Sequence, residues 1–526
     1  MHSLRKVGTV LGSAGLLLGA GCRPGLDVTD PNQPDQARVL STPADVQSLA
    51  TSSVNTWYLA STNEEPTVFL TVTSDAGTMN FGNFGARFNN LEPRIAYANS
   101  SAGNDKGVSE TPWRGNYRAL GGANAALNAF LVRGIKLPTQ AQTDQYRRLA
   151  QFVQAASLTN VALLFDKGFI LDEKTDPTAP PPLSPYKDVS ADAVKRWAAL
   201  AADAAGKNDV YDVADLPMVG GALTSAKLAR IANTYAALTM AYTPRNAAEA
   251  ATVDWAKVAQ YANNGIGTGA AGAPFDFSII GDFNTWYSNF LDYAESPSWV
   301  NVDRRVIHLM DPGVPAKFDG TKVPPSGQAV DARFDTDYEF TDEVVGDPSR
   351  GIYMQSDYRN KRYEYYGFDY GDEEIGPAPY ILAAESDLIR AEALIRMPTP
   401  DLATAASLIN ITRVGRGHLT PAAASDGATA LLADIAYERD IELMNTNGFV
   451  LMQRRHIDGL QPGTVHHLPV PASELEVLQL PVYTFGGVGN EQSLQAVGDV
   501  VSDISHLLVT APRLVNTHGA RSGIRR

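Results

Sequence analysis

The chain has 526 residues, 44% hydrophobic and 19% charged, with a formal net charge of −15. That is enough chain for a large core or several lobes, and the acidic balance disfavours a polyanion such as nucleic acid as partner. A single cysteine excludes a disulfide framework and a thiolate zinc site, and nothing after residue 22 approaches the roughly 18 uninterrupted apolar residues of a membrane span.

Arg5 and Lys6 lead into an apolar run over 7–18, and Gly19-Ala20-Gly21 place small residues ahead of Cys22. A charged head, a short apolar core and small residues make the pattern of a secretory signal, too short to span a bilayer. LLLGAGC resembles a bacterial lipobox, in which the cysteine is acylated and becomes the new N-terminus. It departs from the usual pattern in having Gly19 three residues before the cysteine, where leucine is preferred. The alternative is an ordinary secretory signal with a chance cysteine. On the lipobox reading, 1–21 is a lipoprotein signal peptide and Cys22 carries palmitate-type chains that hold the protein on a membrane. Residues 22–36, with three prolines and no apolar periodicity, form a tether.

The body, 37–485, reads as mainly α. Over 111–135, Trp113, Tyr117, Leu120, Leu127 and Phe130 fall near helical spacing, with Thr111 as N-cap and Pro112 at the first helical position. Over 143–166, Tyr146, Leu149, Phe152, Val153, Ala156 and Val161 share a face. Further amphipathic, alanine-rich segments are 189–206, 223–243, 252–264, 379–396, 401–412 and 428–446. Paired helices of this kind predict a tetratricopeptide-like helical-pair scaffold without a strict repeat, with Trp113, Leu388 and Ile441 buried between helices. Residues 266–378 differ. They are rich in glycine, proline, aspartate and aromatics, with no helical period beyond a short turn near 284–293, and read as a loop-rich insertion. A tail, 486–526, contains a helix-like piece and a basic end, and no role is assigned to it.

Four blocks occur in order in the C-terminal third: Glu385, Arg390 and Glu392; Asn410, Arg413 and Arg416; Glu438, Arg439, Glu442 and Gly448; Leu468, Pro469, Pro471 and Glu474. With Trp113, Tyr117 and Asn124 of WRGNYRALGGAN and the stretch LFDKGF, they resemble the SusD/RagB family of starch-utilisation outer-membrane lipoproteins. Val450 stands where that family often has arginine. The resemblance implies a nutrient-binding lipoprotein on the outer membrane, exposed at the cell surface, which captures a glycan and delivers it to a TonB-dependent, SusC-like transporter. It implies no catalysis and no cofactor.

Several chemical signals compete with that reading. GTGAAG at 267–272 matches G-x-G-x-x-G but lacks the strand before and the helix after that a dinucleotide loop requires. Glu385 and Glu392 stand seven apart on one helix face, about 10.5 Å along the axis, wider than glycosidase carboxylate pairs at roughly 5–9.5 Å. The arginines 390, 396, 413, 416 and 439 are numerous enough to pair both glutamates structurally. His466 and His467 are adjacent and make a poor chelating pair. DYGDEE at 369–374 packs four carboxylates together, as a solvated acidic loop or, less simply, a calcium site. No H-E-x-x-H or G-x-S-x-G occurs.

Aromatics crowd three stretches: Phe81, Phe84 and Phe88 in MNFGNFGARFNN; Phe275 to Trp299; and Tyr353 to Tyr370. Flat rings stack on the apolar faces of sugars, and amides, carboxylates and guanidinium groups meet sugar hydroxyls. Phe81, Asn83, Phe84, Arg87, Trp286, Tyr287 and Trp299 are the candidate ligand-binding residues, with Trp286 and Trp299 as the main platforms. The competing assignment packs these rings against the helices. The function read from the sequence is glycan capture; a lipid-anchored glycoside hydrolase and a helical scaffold without small ligand are the alternatives.

Overall fold

The computed structural model describes residues 42–496 except 80, 91, 177, 180, 283, 297–298, 342–355, 367–375, 447–448 and 494. Cys22, the signal, the tether, the DYGDEE stretch, Gly448 and the tail beyond residue 496 lie outside the described residues.

The chain is built mainly of α-helices. In order, the larger ones are α1 (Pro43–Ser61), α2 (Glu64–Thr73), α3 (Gly107–Leu127), α4 (Gln140–Leu164), α5 (Tyr186–Ala204), α6 (Ser225–Tyr242), α7 (Trp255–Asn263), α8 (Ala383–Arg396), α9 (Leu402–Arg413) and α10 (Gly427–Glu442). Neighbours pack serially: α1 on α3, α3 on α4, α4 on α5, α5 on α6, α6 on α7, α7 on α8, α8 on α9, α9 on α10. This is the tetratricopeptide-like stacking expected.

Helix starts follow from side-chain caps. Thr42 and Asp45 form a capping box ahead of α1, with Pro43 in its first turn. Thr139, Thr224 and Asp401 accept from the amides of Gln142, Lys227 and Thr404 at 3.1, 3.1 and 3.0 Å. Thr111 is not a cap. Helix α3 begins four residues earlier, at Gly107, with Pro112 inside it, and Thr111 Oγ1 donates instead to the Glu65 carboxylate. Buried alanines such as Ala119, Ala123, Ala155, Ala156, Ala232 and Ala236 let the helices approach closely around Trp57, Phe152, Trp197 and Tyr235. Trp113 and Leu388 belong to this core.

Buried arginines stabilise helix ends that would otherwise carry unpaired carbonyls. Arg245 donates to the carbonyls of Ala162, Leu163 and Phe165 at 2.6, 3.0 and 3.0 Å, closing the end of α4. Glu392 is fully buried and receives Arg439 at 2.8 Å, Arg396 at 2.7 Å and His456 at 3.0 Å. Burial would raise its carboxyl, but the three partners hold it well below the usual range. Glu385 accepts from Tyr242 and Gln453, both at 3.1 Å, and lies within electrostatic reach of Arg439. Arg390 donates to the Thr268 carbonyl, and Arg413 and Arg416 serve Asp434 and Glu442.

The insertion over 266–378 is loop-rich, but it carries a small sheet. Strands β1 (Gly77–Met79), β2 (Phe277–Gly281), β3 (Val300–Val302), β4 (Tyr338–Phe340), β5 (Tyr358–Asn360) and β6 (Gly376–Ile381) form a four-stranded sheet of order β1-β3-β5-β4 and a separate β2–β6 pair. Met79 pairs with Val300 and Gly77 with Val302, antiparallel. A second core, with Val302, Ile307, Met310, Phe334, Tyr338 and Tyr358, joins the sheet to α10 through Ile441. Ile441 is therefore buried where α10 meets the insertion, whose short helix Arg304–Met310 packs on α10. Arg333, fully buried, bridges the same contact by pairing with Asp331, Glu438 and Glu442 at 2.7, 2.7 and 3.2 Å. Past residue 485 the chain stays bonded to the body through Glu491, and Gln495–Ala496, part of the helix-like piece, forms a strand against Tyr483–Thr484.

Candidate functional site

One end of the β1–β3 ladder projects two loops side by side. Residues 81–85 follow β1, and Trp299 immediately precedes β3. Ring centroids of Phe81 and Trp299 lie 5.1 Å apart with planes tilted by 47°. Tyr293, on the short helix Asn289–Glu295, meets Trp299 edge-on at 5.1 Å and Phe84 edge-on at 5.2 Å. All four rings are half-buried, packed on a floor of Val68, Val72, Met79, Phe290 and Val300. A floor of this kind fixes ring orientation while leaving part of each surface reachable.

The loop conformation is forced. Phe84 (φ 51°) and Gly85 (φ 71°) are consecutive left-handed residues. Gly85 is required, because a Cβ there would lie 2.7 Å from the buried Phe69 ring. Phe84 pays a steric penalty that the surrounding contacts hold in place. Asp105 clamps the turn: it accepts from the Gly85 amide at 3.3 Å and pairs with Arg87 Nε at 3.1 Å. Burial raises the Asp105 carboxyl above its usual value, and Arg87 and the Gly85 amide oppose that. Arg87 keeps 42% of its side chain exposed.

Beside the rings lies a cavity of about 430 Å3, lined by Glu65, Asn83, Phe84, Arg87, Asn104 and Asp105 among others. Its edge is thus an aromatic ring, and its walls are amides, carboxylates and one guanidinium. Such a site can stack an apolar ring face and exchange hydrogen bonds with hydroxyl groups.

Of the residues expected from sequence, Phe81, Asn83, Phe84, Arg87 and Trp299 come together here. Trp286 does not. It is 5% exposed and packs on Tyr58 of α1 at 5.5 Å, inside the helical core, so it offers no face to a ligand. Tyr287 also lies elsewhere: it stacks on Tyr366 at 6.2 Å and donates to Asp292, in a separate small cluster. Tyr293, Glu65, Asn104 and Asp105 were not singled out by sequence. Tyr293 alone carried a signal, as a member of the crowded aromatic stretch.

The GTGAAG loop is tied to the scaffold. The Thr268 amide and hydroxyl both donate to Asp387, at 2.6 and 3.1 Å. His467 is buried against Phe485, and burial pushes its ring well below the usual histidine value.

The fold and this loop-built site define a helical scaffold that presents its chemistry where an N-terminal loop region, 81–105, meets the insertion. Comparison with solved structures shows which fold this is. A laminarin binding SusD-like protein superposes with TM-score 0.58 at 14% identity, over 84% of this chain and 98% of that one. A SusD superfamily protein from Parabacteroides distasonis gives 0.58 at 13%, over 81% and 96%. Another, from Bacteroides vulgatus, gives 0.56 at 15%, over 83% and 97%. The chain has the SusD-like fold, in agreement with the resemblance read from its sequence blocks. No family model and no curated protein matches the sequence itself.

Proposed function

We propose that this protein captures a glycan or oligosaccharide, without turning it over, on the loops above its helical scaffold. The observation that carries this reading is the aromatic cluster of Phe81, Trp299, Tyr293 and Phe84 beside a cavity walled by Asn83, Arg87, Asn104 and Asp105. Rings and hydroxyl-recognising groups are the two components sugar binding requires. That a solved protein of the same fold is described as laminarin binding supports the ligand class.

The lipobox-like sequence at Cys22 supports anchoring to the outer membrane, with the body presented at the cell surface. The SusD-like fold supports delivery to a TonB-dependent, SusC-like transporter. Both parts of the reading are tested in cells. Cys22 labelling and fractionation address the anchor, and co-purification with a transporter addresses the partner. The binding reading is tested by a glycan array that includes laminarin oligosaccharides, followed by product chromatography on every hit. Binding without new products supports capture. Cleavage of the bound glycan would move the assignment to a lipid-anchored hydrolase.

A further inference from the structure

The charges around the aromatic cluster do not cancel. Among the described residues, Arg87 is the one cation lining the cavity, and Asp105 meets its charge at 3.1 Å. Arg87 Nε also donates to the Gly82 carbonyl at 3.2 Å. Glu65 lines the same cavity and is half-buried; its carboxylate accepts from the Thr111 hydroxyl and forms no ion pair among the described residues. Glu64, half-buried beside it, accepts from the Asn289 side-chain amide at 2.6 Å and is likewise in no ion pair among them. Asn289 opens the short helix that carries Tyr293. Burial raises the Tyr293 hydroxyl above its usual value, and the carboxylates of Glu64 and Asp292 raise it further. Glu64 therefore reaches the ring cluster as Glu65 reaches the cavity.

The neighbouring positive groups offset these two carboxylates only in part. A Cβ on Gly107 would lie 2.0 Å from Glu65 Oε1, so this carboxylate rests against the first residue of α3. The positive end of a helix dipole amounts to about half a charge. Lys106 does not line the cavity; it is exposed, and its ammonium donates to the Ser101 carbonyl at 3.4 Å. Arg114 pairs with Glu110 at 3.0 Å. The site keeps a negative balance next to its aromatic rings.

A site with that balance repels a ligand carrying negative charge, and like-charge juxtaposition is how a binding surface rejects a partner of otherwise suitable shape. A uronate or sulfate group would have to displace Asp105 from Arg87 to gain a counter-charge. Hydroxyl groups need none. They donate to carboxylates such as Glu65 and Asp105, and accept from the amides of Asn83 and Asn104 and from Arg87. We propose that Glu64 and Glu65 are specificity-determining residues that restrict this site to glycans without acidic groups and reject uronate-bearing and sulfated ones. The inference rests on the glycan-capture reading and adds to it the chemical class of glycan taken.

The experiment is an array of neutral laminari-, cello-, malto- and manno-oligosaccharides beside oligogalacturonate, alginate and sulfated galactan fragments. It is probed with the full chain and with Trp299→Ala. Calorimetry then compares the tightest neutral oligosaccharide with the same molecule oxidised to the uronate at C6. The acidic form should bind about tenfold more weakly, or worse, at low salt, and the gap should narrow in about 0.5 M salt. The gap should narrow too in the Glu64→Gln, Glu65→Gln double variant. Its amide oxygens can still accept from Asn289 and Thr111, and it loses only two charges from a total of −15, so general repulsion by the whole chain hardly changes. The salt series on wild type needs no variant and holds if the double variant folds poorly. Acidic and neutral forms binding equally would overturn the proposal. So would a Trp299-dependent acidic hit tighter than its neutral relatives, or a gap that neither salt nor the folded double variant narrows. An array without hits, or with hits indifferent to Trp299→Ala, instead overturns the capture reading, and this inference with it.

Discussion

Phe81 and Trp299 come from opposite halves of the chain and meet ring to ring at 5.1 Å. Their contact exists because Met79 and Val300 are paired in adjacent strands, which places the residues beyond each strand end side by side. Stacking at a partly exposed ring is worth on the order of 1 kcal/mol beyond area burial. Phe81→Ala and Trp299→Ala should each weaken glycan affinity about tenfold, with little change in melting temperature. Titration and a thermal melt on the same preparations check both halves of that statement.

Trp286 should behave in the opposite way. Its ring is in the helical core on Tyr58, so Trp286→Ala should destabilise the fold by about 3–5 kcal/mol. At a temperature where the variant remains folded, its glycan affinity should equal that of the wild type. A stable Trp286→Ala protein would show that this ring is not core. Leu388→Ala, in the middle of α8 and 1% exposed, should cost about 2–5 kcal/mol by denaturant unfolding.

The joint between insertion and scaffold should depend on Arg333. Replacing it with Met leaves Asp331, Glu438 and Glu442 buried without their shared guanidinium. Breaking a buried network by removing one member costs about 3–5 kcal/mol. Because Arg333 ties the insertion to α10, limited proteolysis of Arg333→Met should cut first within 266–378. Cleavage beginning elsewhere would show that the network does not hold the insertion down.

Glu295 gives a pH-dependent prediction. Burial raises its carboxyl from 4.5 to about 7, even though Asn445 and the Tyr363 amide donate to it and Arg359 lies near. A carboxyl that holds its proton more tightly when folded favours folding fully below its unfolded value. That contribution is lost as pH climbs through about 7. Glu295→Gln carries no such titration, and Asn445 can turn its amide oxygen toward the new group. The melting temperature of the variant relative to wild type should rise from pH 5 and level off above about pH 7. A difference that stays flat would place Glu295 in a solvated environment.

The anchor is tested separately. Cys22→Ala should move the protein from the membrane to the soluble fraction and abolish palmitate labelling. Retained label would end the lipobox assignment.

Much of the scaffold was legible because its signals are local. The apolar spacing over 143–166, 223–243 and 401–412 marks α4, α6 and α9, while their caps, Thr139, Thr224 and Asp401, were not read from sequence. Helices α1 and α2 were missed for physical reasons. The buried face of α1 includes Ser53 and several alanine-sized contacts, so its period is faint despite the Thr42–Asp45 cap. Helix α2, EEPTVFLTVT, is rich in β-branched residues, and eight of its ten positions are buried; tertiary packing overrides its strand-like composition. The site was half legible. Composition marks aromatic loops but cannot say which ring finds a core partner: Trp286 found Tyr58, whereas Trp299 found Phe81. Asp105 escaped notice because its role is to clamp a turn distant in sequence.

The central claim is that the ring cluster at the end of the β1–β3 ladder captures a glycan without cleaving it. The most direct measurement is calorimetric titration of an array-identified oligosaccharide into wild type and into the Phe81→Ala, Trp299→Ala double variant, with the spent mixture analysed for products. Saturable binding by wild type, loss of most affinity in a double variant that melts normally, and an unaltered oligosaccharide are predicted. Equal affinity in the folded double variant, or cleaved product from the wild type, would contradict the account.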